Sequence, residues 1–188
     1  MKIILLDRDG VINKDPGPKQ YITGPEELYI LPGVVDAIRK LNMSGYEVTV
    51  VSNQAGVAKG FYTQKCLDEI TKKMLSLIEN GGGKIRQVLY CTHRDEDNCD
   101  CRKPKPGLLK RALSGLPVGP GDVFFIGDGT VDIKAGQAFG CRTILVLSGR
   151  LKMEGRAGWG VEPDYIASDL SEAVEKIVLK GSKCPCKT

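Results

Sequence analysis

Apolar residues in this chain fall into two rhythms. Short continuous runs have the length and composition of buried strands: Lys2-Ile3-Ile4-Leu5-Leu6, Tyr46-Glu47-Val48-Thr49-Val50-Val51, residues 85–90, Val123-Phe124-Phe125-Ile126, Thr143-Ile144-Leu145-Val146-Leu147 and Tyr165-Ile166. Between them the apolar positions repeat with helical spacing, first at Val34, Val35, Ile38 and Leu41, then at Leu67, Ile70, Met74, Leu77 and Ile78. Further helices are expected over residues 106–113, 133–139 and 171–179. The punctuation agrees. Gly33 and Gly45 bracket the first helix, Thr63 can cap the second, Gly81-Gly82-Gly83 ends it, and Pro106 suits a first helical turn. Strands alternating with helices predict an α/β fold with a doubly wound parallel sheet. One domain is expected over residues 1–180, with a tail at 181–188; 188 residues suffice for one sizeable core.

Polar residues matter by where they interrupt this pattern. Asp7 and Asp9, Ser52 and Asn53, and Asp128 each follow an apolar run directly. In a parallel sheet those strand ends share one edge, where ligands bind. Arg102 and Lys103 come from the loop after the third strand and reach the same edge. Carboxylates, a hydroxyl and cations in one crevice suit phosphoryl transfer from a monoester. In that chemistry Asp7 is the nucleophile and Asp9 the acid that protonates the leaving oxygen and then deprotonates water. Mg²⁺, which prefers oxygen ligands, would sit between Asp7, Asp128 and the backbone carbonyl of Asp9. Lys103 and the Ser52 hydroxyl would offset charge on the moving phosphoryl group. The segment Lys14-Asp15-Pro16-Gly17-Pro18-Lys19 is too rich in proline and glycine for regular structure and predicts a flap over this edge.

Composition narrows the class. The chain is 41% apolar and 27% charged, as soluble globular proteins are. It contains no apolar run long enough to cross a membrane and no basic-then-apolar leader, so a cytoplasmic protein is expected. A net charge of +4 suits a small phosphorylated substrate but falls short of a nucleic-acid binder's basic stripe. Seven cysteines in such a protein point to metal before disulfides. Cys91-x-His93, then Cys99-x-Cys101, offers three thiolates and one imidazole, a closed tetrahedral set of the kind that holds structural Zn²⁺. Its expected work is to shape the loop that delivers Arg102 and Lys103. The stretch lacks the aromatic residues a nucleic-acid-binding zinc knuckle stacks on bases. Cys66 and Cys141 are expected to be buried, Cys184-Pro185-Cys186 to lie in a free tail, and Trp159 to be a loop aromatic without an assigned role.

The Asp-x-Asp-Gly start, Ser52-Asn53, Lys103-Pro104 and Gly127-Asp128-x-x-x-Asp132 resemble, in order and spacing, the four motifs of the haloacid dehalogenase superfamily. Asp7-Arg8-Asp9-Gly10-Val11-Ile12-Asn13, the stretch from Ser52 to Gly60, and Cys101-Arg102-Lys103-Pro104-Lys105-Pro106-Gly107 resemble more closely the heptose bisphosphate phosphatase family within it. That family shares its zinc loop with the histidinol-phosphate phosphatases. The resemblance implies a Rossmann-like core without a large cap domain and an Mg²⁺-dependent hydrolase that removes the C7 phosphate of a heptose 1,7-bisphosphate in heptose biosynthesis. It further implies that Arg102 recognises substrate and that Asp15, Pro16, Gly17 and Pro18 line the pocket with Ser52, Asn53, Gln54 and Ala55. A monomer is expected on the same ground. One departure stands out: Gly129 occupies a position where a substrate-contacting lysine is expected.

Other readings remain at this stage. A histidinol-phosphate phosphatase or a general sugar-phosphate phosphatase would use the same catalytic groups. A receiver-like domain phosphorylated on aspartate would also present an acidic, Mg²⁺-binding sheet edge, but it has no use for an acid two residues after the nucleophile. A zinc-based binding module would not depend on Asp7.

Overall fold

Leu5, in the middle of the first strand, pairs with Thr49 on one side and Phe125 on the other. β1 (Lys2–Leu6) is therefore interior to the sheet, flanked by β2 (Tyr46–Asn53) and β4 (Val123–Gly127). β3 (Gln87–Cys91) lies outside β2, while β5 (Arg142–Val146) and β6 (Tyr165–Ala167) extend the other side. The order is β3-β2-β1-β4-β5-β6, with every pair parallel. The structure, a computed structural model, describes residues 1–18 and 20–181, so Cys184 and Cys186 lie outside the described residues.

Alternation along β1 divides the core in two. Ile4 and Leu6 pack with α1 (Val34–Met43), α2 (Gln64–Asn80) and the last helix, α5 (residues 170–181). Ile3 and Leu5 face the opposite side, with α3 (Gly107–Leu113) and residues of α4 (Thr130–Phe139). Both faces of the sheet are covered, which is why its strands read as continuous apolar runs. Burying each leucine or isoleucine contributes about 1.5–3 kcal/mol. The strand order reverses between β1 and β4, so the crevice of this doubly wound sheet opens above their C-terminal ends.

Local differences from the sequence reading have local causes. β2 runs on to Asn53, so Ser52 and Asn53 are strand residues paired with Tyr90 and Cys91. α4 starts at Thr130, three residues before its apolar spacing begins, because the Asp132 carboxylate accepts the Gly129 N–H and fixes a polar first turn. α3 begins at Gly107, with Pro106 as its cap residue. The middle of α5, Ala173–Val178, is wound as a π-helix. Cys66 is only half-buried, its thiol donating to the Thr23 carbonyl, whereas Cys141 is buried as expected. Trp159 is buried against Ile133 and Leu145 in a small cluster of its own.

Candidate active site

Where β1 stops, the Asp7 N–H donates to the Ile126 carbonyl of β4. The chain then curls: the Arg8 carbonyl accepts from the N–H groups of Val11, Ile12 and Asn13, and Gly10 takes a left-handed φ of 80°. This turn separates the two acids that an extended strand would have aimed to one side. Asp7 faces Lys103, whose Nζ lies 3.0 Å from Asp7 Oδ2 and 2.6 Å from Asp132 Oδ1 and donates to the Val51 carbonyl. Asn53 fixes the lysine from behind, accepting the Lys103 N–H and donating to its carbonyl.

Asp9 faces another set of groups. It accepts from Arg8 Nε and Nη2, from Asn13 Nδ2 and from Gln54 Nε2. The Tyr62 hydroxyl and Arg8 both donate to Gln54 Oε1, so the amide is spoken for at each end. Burial alone would raise the Asp9 carboxyl, but Arg8, Asn13 and Gln54 outweigh it and hold it below the usual carboxylate range.

Carboxylate oxygens of Asp7, Asp128 and Asp132 all lie within 4.8 Å of one another. Burial, then the charges of Asp132 and Asp7, push Asp128 up to about 8. Burial and Asp7 push Asp132 up to about 6 against the pull of Lys103. Lys103 itself is held above its ordinary value, since Asp132 and Asp7 more than repay its burial. Three acids facing one buried cation are short of positive charge. An all-oxygen donor set of that kind fits a hard divalent cation.

The second cluster is closed and sulfur-rich. Cys91 Sγ lies 3.6 Å from Cys99 Sγ and 3.3 Å from Cys101 Sγ, and Cys101 is 3.4 Å from Cys99. His93 Nδ1 stands 3.6 Å from Cys91 and 3.3 Å from Cys101. These edges approach the ~3.8 Å of a tetrahedron built with Zn–S bonds. Burial pushes the Cys91 thiol up to about 12, and the four ligand atoms lie close enough together that they could hold one metal ion. The loop also pairs Arg102 with Asp95 and directs Arg102 Nη1 toward the His93 carbonyl.

A cleft of about 330 Å³ joins these groups. Of the residues singled out from sequence, Asp7, Asp9, Ser52, Asn53, Ala55, Arg102, Lys103 and Asp128 line it. Asp15 and Pro16 line an adjoining hollow that shares Gln20 and Tyr21 with the cleft, while Gly17 and Pro18 line neither. Gln54 is buried behind the wall, and the zinc-type cluster sits to one side. The cleft also includes Asp132, Tyr21 and Arg150, which the sequence reading gave no role. Asp132 closes the Gly127–Asp132 motif and carried a signal; Tyr21 and Arg150 have none in their own neighbourhoods.

A parallel sheet carrying an Asp-x-Asp pair, a buried lysine and a second acidic pair at its switch point defines the haloacid dehalogenase class of phosphatases. The family model described as "HAD-hyrolase-like" matches residues 100–173. The chain is 40% identical over 150 residues to D-glycero-beta-D-manno-heptose-1,7-bisphosphate 7-phosphatase of Pseudomonas putida, covering 80% of this chain and 85% of that one. The enzyme of the same name from Bordetella bronchiseptica is 32% identical over 95% of this chain and 98% of its own. The crystal structure of the B. bronchiseptica D,D-heptose 1,7-bisphosphate phosphatase, complexed with magnesium and phosphate, covers 96% of this chain and 99% of its own, with a TM-score of 0.89 and 32% identity. The chain belongs to the heptose-1,7-bisphosphate 7-phosphatase family.

Proposed function

We propose that this chain hydrolyses the C7 phosphate of D-glycero-D-manno-heptose 1,7-bisphosphate through an aspartyl-phosphate on Asp7. The observation that carries the mechanism is Lys103 Nζ held between Asp7 and Asp132 inside the cleft. The curated relatives named above support the substrate, and their names favour the β anomer.

Asp7 Oδ attacks phosphorus as the bond from phosphorus to the sugar oxygen breaks, and a proton from the Asp9 carboxyl goes to that leaving oxygen. Asp9 carboxylate then takes a proton from water as the water oxygen attacks the aspartyl-phosphate, releasing inorganic phosphate and restoring Asp7. The bonds from Arg8, Asn13 and Gln54 favour the carboxylate and so suit the second half of this cycle. In the first half Asp9 must leave some of them to bring its proton to the substrate. Lys103 and the Ser52 hydroxyl offset charge on the transferring group, and Arg102 helps recognise the substrate. Asp7 and Asp128, with the Asp9 carbonyl, would hold Mg²⁺, which when bound neutralises phosphoryl oxygen charge. Cys91, His93, Cys99 and Cys101 would hold a structural Zn²⁺ that fixes the Arg102 loop. The reading is of one phosphatase domain over residues 1–180, acting as a cytoplasmic monomer.

Phosphate release with Mg²⁺, comparing both anomers of the heptose bisphosphate with histidinol phosphate, tests the proposal. A strong preference for a heptose bisphosphate is expected. Preference for histidinol phosphate would overturn the substrate while leaving the nucleophile in place.

A further inference from the structure

The loop after β5 holds three separate parts of the active-site edge. Ser148 Oγ donates to the Gly10 carbonyl in the turn after Asp9. Gly149 lies so close to Asp128 that a Cβ there would meet Oδ2 at 2.0 Å. The Arg150 N–H donates to that same Asp128 oxygen at 3.0 Å, and its Nε donates to Asp15 Oδ2 at 3.3 Å. A tripeptide that closes on the acid turn, the acid slot and the flap at once is too well connected to be a plain connector.

Its guanidinium is poised differently from that of Arg102. Arg102 is 20% exposed, paired with Asp95 and directed at the His93 carbonyl. Arg150 is 57% exposed and spends only Nε, on a long contact, so Nη1 and Nη2 have no partner among the described residues. Asp15, 12% exposed, has a second oxygen, Oδ1, buried without a partner. The pair thus holds unused donors and an unused acceptor beside the cleft that Arg150 lines.

Contacts set the reach. The Arg150 backbone is fixed on the acid slot through Asp128 while its side chain extends to Asp15 in the flap, so the guanidinium is carried from the reacting end of the cleft toward its outer wall. A sugar bisphosphate with one phosphate at the acid slot carries its second phosphate away from that slot. Planar guanidinium with free terminal N–H groups is the side chain best matched to a phosphate dianion.

We propose that Arg150 binds the non-reacting phosphate of the substrate and so determines specificity for bisphosphates, with Asp15 holding its guanidinium in register and accepting from a sugar hydroxyl. This rests on the sugar-bisphosphate reading above. It also adds a cation to a cleft that Gly129 lines without a side chain.

The test is kcat and KM for wild type, Arg150→Ala and Arg150→Lys on the heptose 1,7-bisphosphate and on the heptose 7-phosphate. In Arg150→Ala the ratio of kcat/KM for bisphosphate over monophosphate should fall tenfold to about a hundredfold, chiefly through KM, and Arg150→Lys should recover part of it. An equal loss on both substrates, or no loss, overturns the proposal. If wild type does not hydrolyse the heptose bisphosphate, the proposed function fails, and Arg150 is judged by inhibition of p-nitrophenyl phosphate hydrolysis. There, fructose 1,6-bisphosphate should inhibit wild type more strongly than fructose 6-phosphate and lose that advantage in Arg150→Ala. A wild type without the advantage, or a variant that keeps it, sinks the idea.

Discussion

Lys103 Nζ stands 2.6 Å from Asp132 Oδ1, and both side chains are 1% exposed. An ion pair so deeply buried is costly to halve, because the surviving charge keeps its desolvation penalty and loses its partner. Lys103→Met should therefore destabilise the fold by about 3–5 kcal/mol and cut turnover by two orders of magnitude or more. Urea unfolding and phosphate release would measure the two effects. A variant with wild-type stability would show that Asp132 and Asp7 do not need the lysine.

Asp7→Asn keeps the side chain's shape and removes the proposed nucleophile. We expect turnover to fall by on the order of 10³ or more with little change in melting temperature. No phosphoenzyme should appear in a rapid-quench experiment. Residual turnover near that of wild type would remove Asp7 from the nucleophile's role.

Cys99→Ser exchanges one soft ligand of the closed cluster for a poor one. Bound metal, which the proposal takes to be zinc, should drop, and the melting temperature should fall by about 5 °C or more. Activity should follow indirectly, since Cys101 is chained to Arg102 and Lys103. Elemental analysis beside a thermal melt checks both. A stable variant that binds no metal would show the loop holds itself.

Metal-free protein should respond to pH in the direction set by Asp128. Its ordinary value is 3.8, and burial with two neighbouring acids pushes it to about 8 in the fold. Between those values the folded chain keeps a proton that the unfolded chain has released, so stability falls as pH rises through that window. Asp132 adds the same sign up to about 6. Denaturant titrations in chelator at pH 5 and pH 8 should show this loss, and Asp128→Asn should reduce it. Stability rising toward pH 8 equally in both proteins would contradict the crowding described here.

Much of the fold and part of the site could be read along the chain, for a physical reason. Strands buried on both faces must be apolar throughout, so β1, β2, β4 and β5 advertise themselves, and each polar residue just past them marks one sheet edge. Asp7, Asp9, Ser52, Asn53, Lys103 and Asp128 line the cleft because each lies at or just past the C-terminal end of such a strand, or in the loop beside it. Gln54 shows the limit: it follows β2 directly yet turns inward to serve Arg8, Asp9 and Tyr62. Tyr21 and Arg150 show the other limit. They reach the cleft from loops far apart in sequence, where no spacing rule links them to Asp7. The polar first turn of α4 was hidden similarly, because a side-chain cap leaves no apolar rhythm.

The glycines around Asp128 have a consequence for how this scaffold can change. A Cβ at Gly10 would meet Asp128 Oδ2 at 2.2 Å, and one at Gly149 would meet it at 2.0 Å. The acid is thus gripped by bare backbone from two directions, and no side chain can be added there without evicting it. The side chains of Tyr21, Asp95, Arg102 and Arg150 line the cleft from outside that grip. New substrates can therefore be selected at the rim, one residue at a time, while the slot that breaks the phosphate ester stays as it is.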